Sequence, residues 1–111
     1  MSTVTVLDEI AELALMCGKV TEFREGGRRY LHLERVSLPA GCNPAVAEGL
    51  LCLNDHDGYQ TRLFLSVRLA RGPNWSVHRI LDRQWHTWSW KGVLPNQRAS
   101  QILAEHLRSL R

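Results

Sequence analysis

The sequence predicts a single α+β domain over residues 1–111, with an amphipathic helix towards each end and antiparallel strands between them. Three observations lead there. Apolar residues recur at helical spacing near both ends, apolar and polar residues alternate through the middle, and turn residues separate the alternating runs. A chain of 111 residues fits one domain and buries a modest core without covalent staples.

From Thr5 to Cys17, Val6, Leu7, Ile10, Leu13, Ala14 and Cys17 recur at helical spacing. Thr5 and Asp8 resemble a capping box, and Gly18 is a natural stop. "KVTEFREGGRRYLHLERVSL" reads as two strands about Gly26-Gly27, because Tyr30, Leu31, Leu33 and Val36 favour strands and paired glycines suit a hairpin turn. Turn residues fill Leu38 to Pro44, "AEGLLCLN" reads as a short buried strand, and "DHDGY" is another turn. In "TRLFLSVRL", Leu63, Leu65, Val67 and Leu69 share one face, while Arg62, Ser66 and Arg68 share the other with Phe64. The first face is expected to be covered and the second mostly wet. After "ARGPNW" no clean period survives to Pro95, so an irregular crossing segment is expected, with room for a short helix. "NQRASQILAEHLRSLR" is the closing helix, with Asn96 as its cap and Ala99, Ile102, Leu103, Leu107 and Leu110 on one face. The expected order is helix, meander of about four strands, irregular segment, helix.

Composition narrows the function classes. No apolar run approaches the roughly 18 to 20 residues of a membrane span, and the N-terminus lacks the pattern of a secretory leader, so a cytosolic protein without a membrane partner is expected. Cys17, Cys42 and Cys52 are an odd set with no CxxC pair, which suggests reduced thiols rather than a disulfide framework or zinc knuckle. The net charge of +3 permits an acidic partner without demanding one. No phosphate-binding glycine loop exists, and no cofactor is expected. Asp55, His56 and Asp57 offer ligand atoms, but neighbouring residues point in different directions, and a solvated turn without metal is the expectation.

All four tryptophans, Trp75, Trp85, Trp88 and Trp90, fall within sixteen residues. Arg71, His78, Arg79, Arg83, His86 and Lys91 interleave with them, a pattern compatible with stacking on single-stranded nucleic acid. Tryptophan is more often a core or interface residue, which weighs against that reading. Within "QWHTWSWKG", Ser89 follows His86 by three residues, close enough on a helical turn for the imidazole to approach the hydroxyl. From spacing alone, a small residue that lets two indoles pack is the simpler account of Ser89.

"SLPAGCNP", "LLCLNDHDGY", "LFLSVRL", "RGPNW" and "WHTWSW", followed by the closing helix, resemble the bacterial ubiquitin-conjugating-enzyme-like family encoded beside ubiquitin-like proteins, an activating enzyme and a metalloprotease. The resemblance covers roughly Tyr30 to Leu110. It implies the conjugating-enzyme fold, with an N-terminal helix, a four-stranded antiparallel meander, an irregular active-site segment and a C-terminal helix. "DHDGY" takes the place of the family's Tyr-Pro turn, with Gln60 where the proline stands, and "GPN" takes the place of its His-Pro-Asn motif without the histidine. Asn74 is then the residue that orients the loop or stabilises an oxyanion. All three cysteines precede that motif, whereas the conjugating-enzyme cysteine follows it. The family's Trp-Ser carries over to Trp88 and Ser89, and implies an oxyester on serine formed with a ubiquitin-like C-terminus. The implied partners are the ubiquitin-like protein, its activating enzyme and a target amine, with the tryptophans as partner-binding surface. A serine nucleophile needs a base, for which His86, or His78 folded back, is expected. The alternative within this fold is a non-catalytic adaptor that binds the activating enzyme or the ubiquitin-like protein. Gene neighbourhoods of this kind imply antiviral defence, which no residue here specifies.

Overall fold

The structure is a computed structural model and describes residues 6–111. Helix α1, Val6–Cys17, precedes six strands joined by five antiparallel pairings, β1 (Val20–Glu25), β2 (Arg28–Ser37), β3 (Val46–Cys52), β4 (Arg62–Leu65), β5 (Ser76–Ile80) and β6 (Arg83–Thr87), before helix α2, Ala99–Arg108. The strands form one sheet in the order β1-β2-β3-β4-β6-β5. Among the described residues the architecture is α+β, with six strands where about four were expected.

Local chemistry explains most of the turns. Gly18, at φ +73°, ends α1, and the Glu25↔Arg28 pair closes β1 on β2 around Gly26 and Gly27 at φ +59° and +78°. Thr5 of the expected capping box lies outside the described residues. Helix α2 begins later than expected: its cap is Arg98, not Asn96. The reason is tertiary. Glu9 of α1 accepts the Ala99 N–H at 3.2 Å, and Glu12 accepts from Arg98 Nε and from Ser100, so α1 supplies the acceptors for the donors at the start of α2.

Two apolar compartments lie on opposite faces of the sheet. Against the helices, Leu31, Leu33, Leu51, Leu63 and Leu65 pack with Leu13, Ile102, Leu103 and Trp88. On the other face, Tyr30, Leu50, Cys52 and Phe64 pack with Ile80 and Trp85. That face was expected to be mostly wet, yet Phe64 is fully buried and Arg62 is 5% exposed. What covers it is the segment expected to be irregular.

Residues 76–87 form the β5–β6 hairpin, closed by Ile80↔Arg83 around Leu81 and Asp82 at φ +53° and +64°. The register of β6 with β4 holds only Leu65↔His86. From there the hairpin passes over the second face of the sheet. Arg83 makes two hydrogen bonds with Glu48 on β3, at 2.8 and 2.9 Å, and the Trp85 ring lies 6.1 Å from His32 on β2. At the tip, the Leu81 N–H donates to Glu25 at the end of β1, 3.1 Å away. The hairpin therefore acts as a second layer opposite the helices.

Candidate functional site

Ser89 lies just beyond β6, half-buried at the base of the hairpin. Its N–H donates to the Pro73 carbonyl at 2.9 Å, which holds "GPN" against it. Two indoles brace this junction. The Trp75 and Trp88 rings stand 5.1 Å apart; Trp75 Nε1 donates to the Arg71 carbonyl and Trp88 Nε1 to Ser109 Oγ. Gly72 is needed where the two indoles meet: at φ +93°, an added Cβ would lie 3.1 Å from Leu110 and 3.3 Å from Trp75 Nε1. Asn74, at φ +50°, is exposed beside this junction.

The Ser89 hydroxyl accepts a hydrogen bond from Tyr59 Oη at 3.0 Å. Tyr59 is presented by a two-residue turn in which His56 and Tyr59 exchange backbone hydrogen bonds at 2.8 and 3.0 Å, with Asp57 and Gly58 at φ +53° and +87°. Arg62 lies with its guanidinium carbon 4.0 Å from the centre of the Tyr59 ring, and Lys91 Nζ lies 5.4 Å from it. Tyr59 is the residue that sequence reasoning passed over. Its one hint was the resemblance of "DHDGY" to a Tyr-Pro turn; a contact across thirty residues leaves no trace in spacing.

The expected bases stand elsewhere. His86 belongs to β6, where its Cα faces Val77. His86 and Thr87 are extended in β6 and Trp88 and Ser89 follow without helix, so the helical turn that would have brought His86 to Ser89 does not form. Among the described residues no hydrogen bond joins the two. His78 does not fold back either: its Nε2 is 3.0 Å from Ser76 Oγ, and its ring packs 5.2 Å from His56 and 5.7 Å from Phe64.

The tryptophans divide in the same way. Trp85 and Trp88 are 1% and 2% exposed and serve as core, so they offer no surface to a partner or to a nucleic-acid base. Trp75 is half-buried, and Trp90, 41% exposed, is the indole presented to solvent.

His78 completes a group the sequence left scattered. One ligand-type atom from each of His56, Asp57 and His78 falls within 4.8 Å of the others, with Asp57 Oδ2 at 3.5 Å from His56 Nδ1 and 3.9 Å from His78 Nδ1. Arg62 stands within it, its Nη1 3.4 Å from His56 Nδ1 and 3.9 Å from Asp57 Oδ2. A fixed positive charge at that distance opposes a second cation. The three side chains therefore read as the polar surround of Arg62 rather than a metal centre. Burial, joined by the charge of Arg62, pushes both imidazoles down from their ordinary value and disfavours their charged forms. A cleft of about 340 Å³ at the hairpin tip is lined by Phe23, His32, Glu48, Leu81, Arg83 and Trp85, and not by Ser89.

No family model, curated protein or solved structure matches the chain.

Proposed function

We propose that this chain is a conjugating-enzyme-like acyl carrier. It accepts the C-terminus of a ubiquitin-like protein from an activating enzyme on Ser89 and passes it to a target amine. The observation that carries this reading is the Ser89 junction: the backbone bond to Pro73 and the Tyr59 hydrogen bond bring together three stretches, "DHDGY", "GPN" and "WSW", that resemble the conjugating-enzyme motifs.

In the transfer, Ser89 Oγ attacks the thioester carbonyl carbon; the C–O bond forms, the C–S bond breaks, and the Oγ proton ends on the departing sulfur. The product is an oxyester, which an amine then opens to an amide while the alcohol re-forms. The tilted Trp75–Trp88 pair and the Pro73 carbonyl hold the backbone of the nucleophile, which favours a reactive geometry over a mobile one. The Asn74 amide, exposed one residue beyond Pro73, is the side chain available to an oxyanion. Trp90 supplies exposed apolar surface for the incoming protein, with Leu94 at 46% exposure on the same segment.

The test is incubation with the ubiquitin-like protein, its activating enzyme and ATP, followed by intact and peptide mass spectrometry with and without hydroxylamine. An ATP-dependent, hydroxylamine-labile adduct on Ser89 that Ser89→Ala abolishes is the expected result. An adduct that survives Ser89→Ala, or one on Cys17, Cys42 or Cys52, overturns the serine assignment. The adaptor reading draws on one observation: among the described residues no imidazole or carboxylate is hydrogen-bonded to Ser89 Oγ. It predicts a non-covalent complex and no adduct.

A further inference from the structure

We propose that Tyr59 is the catalytic residue that moves the Ser89 proton, with Arg62 and Lys91 stabilising the charge that develops on its ring. The inference rests on the reading of Ser89 as an acyl acceptor and supplies the proton-transfer group that neither His86 nor His78 provides.

Contact comes first. Tyr59 Oη is 3.0 Å from Ser89 Oγ, within the reach a proton acceptor requires. Both groups are hydroxyls, each able to donate and to accept, so rotation of the two protons reverses the bond without moving a heavy atom. The partner is also held in place. The two-residue turn fixes the Tyr59 backbone through its exchange with His56, and Arg62 covers a face of the ring.

A second observation points to the same residue independently. Arg62 is a buried cation without an adequate anion: it is 5% exposed, its Nε has no partner, and its nearest carboxylate oxygen is 3.9 Å away on the half-exposed Asp57. Buried charges are ordinarily paired and fully hydrogen-bonded, because an unpaired one is costly to remove from water. Here the guanidinium stacks on Tyr59, with the Lys91 ammonium also within range of the ring. The arrangement is poorly satisfied while the phenol is neutral. It becomes satisfied as negative charge develops on Tyr59 during proton transfer, which is the moment at which such charge lowers a barrier.

The step balances without an external reagent. The proton on Tyr59 leaves for the departing group ahead of the arrival of the Ser89 proton, so the phenol oxygen carries negative charge until it takes that proton as Ser89 Oγ bonds to the acyl carbon. With a thioester donor the proton reaches sulfur as the C–S bond breaks; with an aryl ester it reaches water or the aryloxide as the C–O bond breaks.

The experiment uses p-nitrophenyl acetate as the acyl donor, so that it does not depend on identifying the protein partners. Acetylation of Ser89 is followed by peptide mass spectrometry in the unaltered chain, Tyr59→Phe, Ser89→Cys and the Tyr59→Phe/Ser89→Cys double variant. Tyr59→Phe is expected to slow Ser89 acetylation by about 100-fold, the lower end of the range for a positioned acid–base group. In the Ser89→Cys background the same change is expected to cost under about threefold, because a thiol already has a reactive ionised fraction near neutrality. Three results overturn the inference: no acetyl on Ser89 in the unaltered chain, a loss under about tenfold on Tyr59→Phe, or an equal loss with cysteine in place, which marks a structural role. Failure of the conjugation reading looks different. There Ser89 acetylates with full dependence on Tyr59, while the activating enzyme, ubiquitin-like protein and ATP leave no adduct.

Discussion

His106 makes the stability of this domain depend on acid in a way that can be worked out from its surroundings. The imidazole is 1% exposed on α2, and Thr61 Oγ1 donates to the Val93 carbonyl at 2.8 Å while lying 3.0 Å from His106 Nε2. The threonine proton is committed to Val93, so Nε2 must carry its own hydrogen and donate it. Burial, followed by the charge of Arg62, pushes the imidazole from its ordinary 6.5 down to about 4. Below pH 6.5 the unfolded chain takes up a proton that the folded chain refuses until about pH 4. Stability is therefore complete at and above pH 7, falls between those two values, and levels off beneath them. Each factor of ten in proton affinity is worth about 1.4 kcal/mol, so the full loss from this one residue is about 3 kcal/mol. Burial lowers His56 and His78 as well, and both add to the same decline. The test is urea unfolding at half-unit steps from pH 7.5 to 4, on the unaltered chain and on His106→Gln. Glutamine keeps an amide donor for Thr61 and cannot titrate, so it should remove roughly 3 kcal/mol of the pH-dependent loss. Parallel stability curves for the two proteins would refute the argument.

The Arg83–Glu48 contact gives a second acid effect in a lower window. Arg83, with His32, holds the Glu48 carboxyl at about 2 against an ordinary 4.5, so its stabilisation is present above pH 4.5 and lost on falling to 2. The Glu48 side chain is 31% exposed and partly screened, so Glu48→Gln should cost about 1–2 kcal/mol at pH 7 by chemical denaturation, and nothing near pH 2. Trp88→Ala should cost about 3–5 kcal/mol by the same measurement, as removal of a fully enclosed indole does, while Trp90→Ala should change stability by under about 1 kcal/mol. Gly72→Ala places a side chain at φ +93° against Leu110 and Trp75, and should lower stability by about 1–3 kcal/mol.

What could be read from the sequence was whatever rested on local chemistry. The 3.6-residue period gave both helices, and Gly18 and Gly26-Gly27 gave a stop and a turn because glycine is the residue that adopts positive φ without strain. The β5–β6 hairpin escaped because its turn uses Leu81-Asp82, which carries no turn signature despite adopting the same backbone. Arg62 looked like a solvent-facing residue, since alternation along a strand says which side chains share a face and not whether that face is later covered. At the site, Ser89, Asn74 and the tryptophan cluster were visible as residue types. The Tyr59–Ser89 hydrogen bond and the displacement of His86 were not, because both follow from tertiary placement: one from a turn and a strand end meeting, the other from a strand where a helical turn was expected.

The two apolar compartments make the sheet a partition. Strand β4 divides its apolar side chains between them, Leu63 and Leu65 to the helices and Phe64 to the hairpin. Substitutions in one compartment should then combine with those in the other almost independently, as separated sites do. Ser89 stands at the seam, where the chain leaves a hairpin that covers one side and Trp88 plugs into the other. A short domain of this design holds Ser89 not in the floor of a deep pocket but at the hem where two linings are sewn to the same wall.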